Sequence, residues 1–265
     1  MDYRGKVALI TGGGTGIGLA LAGQLHAAGA TLLICGRRGD RLDAACAAYP
    51  SMRAAACDLA STEGILALDA WLRRETDGLD LLFNNAGVQT QDDLTDPARD
   101  MTALDAEIRT NLVAPILLTQ RLLPLMAGRR DAAIVNLVSL LAVMGKPSAP
   151  VYGASKAGLL QFTRTMALVP GAAGVRMVAA FPPLVDTAMT RGRGANKMSA
   201  ADCAADLMRQ LAAGRNEIRI GQARGQLALH RFAPALAGWV TRRRSAGVTL
   251  ADDASVPGLQ QGASG

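Results

Sequence analysis

The sequence predicts an α/β protein, a single domain in which a doubly wound parallel sheet lies between two layers of helices. Three observations predict it. Short apolar β-type runs alternate with longer segments of helical spacing. A glycine-rich turn joins the first of these runs to the first helix. The chain has 265 residues, half of them hydrophobic and 19% charged, which is enough for one large domain with a substantial core.

Composition excludes several classes of function. The opening residues run straight into a strand-like segment, without the charged start, apolar run and small-residue cleavage site of a signal peptide. The longest apolar runs, such as Ala132 to Gly145, are too short to span a bilayer. Cys35, Cys46, Cys57 and Cys203 form no C-x-x-C, so free thiols in a reducing cytoplasm are expected. With only His26 and His230 and no clustered thiols, no metal site is expected. Aromatic residues are 3%, and no stacking platform for nucleic acid is apparent. The net charge of +6 is local: Arg191 to Arg244 carries 11 Lys/Arg against Asp202, Asp206 and Glu217. A basic end of this kind is either a solvated face, the preferred reading, or a surface for an anionic partner or membrane.

In chain order, Lys6–Ile10 is the first strand. Thr11-Gly12-Gly13-Gly14-Thr15-Gly16-Ile17-Gly18 follows, and Leu19–Leu25 reads as a helix. A strand, a glycine turn and a helix make the context for a phosphate-binding loop. The glycines let the backbone approach a pyrophosphate, and the helix N-terminus offers free N–H groups and a positive dipole end. The second strand, Ala30–Cys35, ends at Gly36-Arg37-Arg38. A third, Met52–Cys57, ends at Asp58-Leu59, where the aspartate suits a turn or helix N-cap. A helix over Ile65–Arg74 leads to a fourth strand, Leu79–Phe83, and then to Asn84-Asn85-Ala86-Gly87. A long helical pattern opens at Thr110-Asn111 and runs through Met126; an asparagine inside it needs partners.

Ala132–Val138 is the fifth strand, with Ser139 at its end. Thirteen positions later comes Tyr152, and Lys156 stands four beyond that, at the start of a helix running to Leu168. Positions i and i+4 share a helix face, so phenol and ammonium project into one site. A nearby ammonium favours the phenolate, and a phenol tuned this way can exchange a proton with a carbonyl or alcohol. The sixth strand, Val175–Phe181, precedes Pro182-Pro183-Leu184-Val185-Asp186-Thr187. Thr190–Ser199 is polar and contains glycines, as a substrate lid would. A helix over Ala201–Ala213 and a short strand, Glu217–Gly221, complete residues 1–221. Residues 222–250 read as a basic amphipathic extension with an apolar stripe of Leu227, Leu229, Phe232, Leu236 and Trp239. Pro234 would start a second helix there, Arg242-Arg243-Arg244 would cap it, and residues 251–265 read as a disordered tail.

T-G-x-x-x-G-x-G, N-N-A-G, Asn111, Ser139 and Tyr152-x-x-x-Lys156 occur in this order across about Gly5 to Gly221. In this the chain resembles the short-chain dehydrogenase/reductase family. The resemblance implies a Rossmann-type fold and hydride transfer between a nicotinamide dinucleotide and a carbonyl or secondary alcohol. It implies Tyr152 as general acid or base, with Lys156 lowering its pKa and holding the nicotinamide ribose. It implies Ser139 on the substrate oxygen and Asn111 holding a water that links to Lys156. Cofactor contacts are implied for Gly12, Gly14, Thr15, Gly16, Ile17 and Gly18 in the turn. They are implied also for Asp58 and Leu59 at the adenine, and for Asn85, Ala86 and Gly87 beyond the fourth strand. Pro182, Val185 through its backbone and Thr187 would meet the nicotinamide. Pro183 stands where the family usually has glycine, fixing φ and removing an N–H. Gly36 stands where an NAD-specific member carries an aspartate, and Arg37 and Arg38 follow, favouring a 2′-phosphate and hence NADP(H). Leu140, Met144, Val151, Leu184 and Met189 imply a mainly apolar substrate. The helices at 111–126 and 152–168 are apolar around much of their circumference and imply a homodimer or homotetramer, dimer preferred. Two further readings are a non-catalytic dinucleotide-binding regulator on the same fold, and a membrane-surface or scaffold protein using the basic end.

Overall fold

The computed structural model describes residues 1–90, 94–96, 98–169 and 174–232. Seven strands form one parallel sheet in the order β3-β2-β1-β4-β5-β6-β7. They are β1 (Val7–Thr11), β2 (Thr31–Gly36), β3 (Arg53–Ala56), β4 (Leu81–Asn84), β5 (Ala133–Leu137), β6 (Arg176–Phe181) and β7 (Glu217–Arg219). Each strand expected from the sequence is present, displaced by a residue or two. The largest displacement is at β4. Leu79 donates its N–H to Leu125 O rather than joining the ladder, and the Asp80 carboxylate accepts from Val7 N at 2.9 Å and Arg129 Nη2 at 2.9 Å.

Successive strand residues face opposite layers. Ala8 and Ile10 pack with Leu32, Ile34, Leu81 and Phe83 under α1 (Gly16–Ala27), α2 (Gly39–Ala48) and α7 (Ala200–Ala212). Leu9, Leu33, Leu82 and Ile134 face the other way, against Ile65, Leu68 and Leu72 of α3 (Thr62–Glu75) and Leu118, Leu122 and Met126 of α5 (Ala114–Met126). On the same side, Leu159 and Leu160 of α6 (Pro150–Met166) cover Ala179 and Phe181. Both faces of the inner strands are therefore dry, which is why those strands read as apolar runs; the edge strands β3 and β7 are only partly covered.

The long helical pattern begins earlier than its sequence suggested. α4 (Met101–Ile108) is capped by Asp100, whose carboxylate accepts from Thr102 N at 2.8 Å. It passes into α5 through one π-helical turn, Arg109–Val113, with Asn111 at its centre. A π turn inserts a residue and re-aims the side chains around it, a device common at functional sites. Here it buries the Asn111 amide completely.

After β7, α8 (Ala223–Phe232) occupies the start of the expected extension, with Leu227 half-buried and Leu229 and Phe232 exposed. Pro234, Leu236, Trp239, Arg242–Arg244 and the 251–265 tail lie outside the described residues. No helix among the described residues is long and apolar enough to cross a membrane.

Candidate active site

Strand order reverses between β1 and β4, and the loops leaving their C-terminal ends diverge there. In open α/β sheets ligands bind in such crevices. One cleft here is lined by Gly12, Thr15, Gly16, Ile17, Asn85, Ala86, Gly87, Leu137, Val138, Tyr152, Lys156, Pro182, Thr187, Ala188 and Met189. Twelve of the residues singled out from sequence thus share one wall or another of a single cavity.

The glycine turn is forced by its neighbours. Gly12 has φ +65°, and a Cβ on Gly18 would stand 2.3 Å from Gly12 O and 2.5 Å from Asn85 Nδ2. Gly18 therefore lets α1 pack against the turn and the β4 loop at once. Gly14 lies against Arg41 instead of the cleft. The turn is stapled from below. Thr11 Oγ1 accepts from Asn85 N at 3.0 Å and Ala86 N at 2.9 Å, while Asn85 Nδ2 donates to Thr11 O at 2.8 Å and Gly12 O at 3.2 Å. Asn85 thus holds the phosphate-type turn through the protein itself. Thr11 opens the T-G-x-x-x-G-x-G motif, but the sequence reading gave it no role in the site.

Tyr152 lies in the first turn of α6, and Lys156 follows on the same face. Lys156 is 3% exposed; its Nζ donates to Leu137 O at 2.9 Å and stands 5.8 Å from the Tyr152 ring centroid. Burial lowers the Lys156 pKa to about 8, against an opposing pull from Glu107. The Tyr152 phenol is raised above its ordinary value, chiefly by burial; Glu107 adds to this, while the nearby Ser139 hydroxyl and the Arg193 guanidinium act to lower it. The sequence expectation was a phenol drawn down by Lys156. In the folded protein burial raises it instead, and Lys156, whose ammonium donates to Leu137 O, is not among the groups acting to lower it.

Ser139 caps a 3₁₀ turn, Leu140–Ala142, its Oγ accepting from Leu141 N at 3.1 Å. Asn111 clamps the loop beyond β4 to α6. Its Oδ1 accepts from Val88 N at 2.9 Å, and its Nδ2 donates to Val88 O at 2.8 Å and Ser155 Oγ at 3.2 Å. Behind it a buried chain runs from Asn84 Nδ2 to Asn136 Oδ1 at 2.7 Å and from Asn136 Nδ2 to Thr163 Oγ1 at 2.8 Å. It ties β4, β5 and α6 together and sets the height of the Tyr152 helix. The sequence reading missed this chain; an amide, Asn136, in an otherwise apolar strand hints that a partner is needed but not which one.

The remaining predicted residues lie at the margins. Arg37, Arg38 and Asp58 are exposed at the C-terminal ends of β2 and β3. The Leu59 side chain joins the core. Val185 is buried and its carbonyl accepts from Thr190 Oγ1 at 2.6 Å.

A glycine-turned helix start facing a serine, a tyrosine and a lysine is the cleft of a nucleotide-binding oxidoreductase. The chain belongs to the short chain dehydrogenase family, whose pattern it matches over residues 6–198. It is 35% identical over 191 residues to the uncharacterized oxidoreductase DltE of Bacillus subtilis (strain 168), covering 72% of this chain and 76% of that one. It is 34% identical over 197 residues to the 3-oxoacyl-(acyl-carrier-protein) reductase FabG of Aquifex aeolicus (strain VF5), covering 72% and 78%. A solved short chain dehydrogenase from Burkholderia cenocepacia J2315, in complex with NADP, superposes with a TM-score of 0.72 at 28% identity, covering 80% of this chain and 92% of that one.

Proposed function

We propose that the protein is an NADP(H)-dependent oxidoreductase that moves a hydride between the dinucleotide and a carbonyl or secondary-alcohol substrate. The observation that carries this reading is the convergence of Tyr152 and Lys156 on the same cleft as Gly12, Thr15 and Gly16, with the Ser139 hydroxyl close enough to act on the phenol's pKa.

The residues present fit a dinucleotide. Gly12 and Gly16 have φ +65° and +56°, and a Cβ on Gly16 would stand 3.1 Å from Thr187 Cγ2, so side chains there would fill the cradle. The first turn of α1 holds no acid, and Thr15 makes no cap bond from its side chain, so its N–H groups suit an anion. Arg37 and Arg38, exposed beyond Gly36, suit a 2′-phosphate, and the Burkholderia relative was solved with NADP.

When bound, the dinucleotide supplies or takes up the hydride. The chain's own groups handle the oxygen. For reduction, the Tyr152 O–H donates its proton to the carbonyl oxygen as negative charge gathers there. The Ser139 O–H turns to the same oxygen and donates a hydrogen bond, worth most where charge develops. The Lys156 ammonium stabilises the phenolate left behind, which offsets the burial that holds Tyr152 protonated at rest. Asn111 keeps the β4 loop and α6 in register. Oxidation runs the same proton path backwards. We assign a homodimer as the working assembly, with α5 and α6 as its contact helices; a clean monomer by light scattering at micromolar concentration would contradict that.

The test is a panel of ketones, aldehydes and secondary alcohols followed by dinucleotide absorbance. Turnover with NADPH supports the reading. Tight NADPH binding with no turnover across the panel would favour a non-catalytic dinucleotide-binding regulator instead.

A further inference from the structure

The loop from Thr187 to Ser199 carries three cations, and their situations differ. Arg191 is exposed. Lys197 donates to Thr190 O at 2.6 Å and pairs with Asp186 at 3.6 Å. Arg193 is half-buried and reaches across to the loop beyond β4, where Nη1 donates to Gln89 Oε1 at 2.7 Å. Among the described residues it has no carboxylate partner. Its charge is nevertheless felt at the Tyr152 phenol.

This placement is built rather than incidental. Gly192 and Gly194 have φ +76° and +60°, and Asn196 has φ +55°. Three left-handed residues in five turn the loop back toward the cleft, which costs least at glycine and asparagine. The loop is pinned at its base by the Val185–Met198 bridge. A Cβ on Gly194 would stand 2.6 Å from Leu184 Cδ2, so the turn also packs on the substrate side of the site.

A half-buried guanidinium cannot lose its proton, and a neutral amide is a weak partner for it. A carboxylate offers two charge-assisted bonds in matching geometry. Gln89 is therefore a placeholder that a carboxylate displaces. Lys197 is already held by Asp186, so among the described residues of this loop Arg193 is the cation beside the site without a carboxylate, matching the single charge of a carboxylate better than a dianionic phosphate.

We propose that Arg193 reads the substrate: it binds a carboxylate carried by the carbonyl compound whose reacting carbon lies at Tyr152. The substrate is then a keto acid, or the matching hydroxy acid, with an apolar skeleton against Leu184 and Met189. This rests on the oxidoreductase reading above and gives its substrate a class.

The experiment compares a medium-chain keto acid with its methyl ester, in wild type, Arg193→Lys and Arg193→Met. The expected wild-type preference for the acid in kcat/KM is about ten- to a hundredfold, the range for one charge-assisted hydrogen bond. Arg193→Met loses that preference through KM, with at most a few-fold loss on the ester, and Arg193→Lys keeps part of it. Calorimetric titration with the saturated fatty acid and its primary amide gives a second readout, with the acid bound more tightly by wild type alone. Equal losses on acid and ester in Arg193→Met would make Arg193 a latch for the loop and overturn the proposal, as would a wild-type preference for the ester. Selective binding of the fatty acid, lost in Arg193→Met, with no turnover of either carbonyl, would uphold Arg193 as the anion site and defeat only the carbonyl chemistry.

Discussion

On the β1 side of the cleft the walls are backbone; on the β6 side they are side chains carried by loops. The first side is made of Gly12, Gly16 and Gly18, a helix start, and the Thr11–Asn85 staple, with contacts so close that a single Cβ at Gly18 would meet a carbonyl at 2.3 Å. The second is made of the 3₁₀ turn at Ser139, the run after β6, and a loop with three left-handed residues. Gly145 there has nothing within 4 Å of an added Cβ. The difference separates two tasks. A dinucleotide is a constant ligand and tolerates a rigid mould, whereas a substrate is selected by a few groups on adjustable chain.

The sharpest way to break this comparison is to add one methyl group to each side. Gly18→Ala should abolish detectable NADPH binding and destabilise the fold by about 1–3 kcal/mol, the usual cost of overpacking. Gly145→Ala should leave both within experimental error. Calorimetric titration and thermal unfolding decide it; equal effects would mean that the two sides are not built differently.

Next in size is Ser139→Ala. Removing a hydrogen-bond donor from a developing oxyanion costs ~10²–10³ in kcat. NADPH affinity should stay within a few-fold, because Ser139 stands on the substrate side. A parallel loss of NADPH binding would move it to the other wall.

Arg37→Ala carries a smaller effect on the opposite wall. It should lower the NADPH-over-NADH ratio of kcat/KM by roughly ten- to a hundredfold, the value of one charge-assisted contact. An unchanged ratio would remove Arg37 from the 2′-phosphate.

These expectations also mark how much the sequence reveals. Apolar runs reveal the inner strands, since strands covered on both faces must be apolar throughout, whereas the edge strands β3 and β7 are partly exposed and carry Arg53, Glu217 and Arg219. The Tyr152–Lys156 spacing reveals a shared helix face, because that is a property of the helix alone. Three features do not show. The π turn at Asn111 arises from the demands of its buried amide, which depend on Val88 and Ser155, both distant in sequence. The buried Asn136–Thr163 link joins elements 27 positions apart. The reach of Arg193 to Gln89 spans 104 positions and depends on the left-handed turns at Gly192, Gly194 and Asn196. Even the direction of the Tyr152 pKa needed the fold, since local spacing shows the lysine but not the burial opposing it.

The smallest effect concerns Lys156, which stands between the two walls. Its folded pKa of about 8 lies below the ordinary 10.5. Between those values the unfolded chain holds the extra proton, so the Lys156 contribution to stability rises with pH in that window. The unfolding free energy of wild type relative to Lys156→Met should therefore increase from pH 8 to pH 10. A flat difference would show that the ammonium is not desolvated.

The central claim is that one phenol moves the proton, with Ser139 steadying the oxygen that receives it and Lys156 the phenolate left behind. Steady-state reduction of a ketone by Tyr152→Phe tests it most directly, measured beside NADPH affinity. The ring and its packing are kept, and only the proton donor is removed. The expected result is a fall in kcat of ~10²–10⁴-fold with NADPH affinity within a few-fold of wild type. Turnover by Tyr152→Phe within a few-fold of wild type would contradict the account.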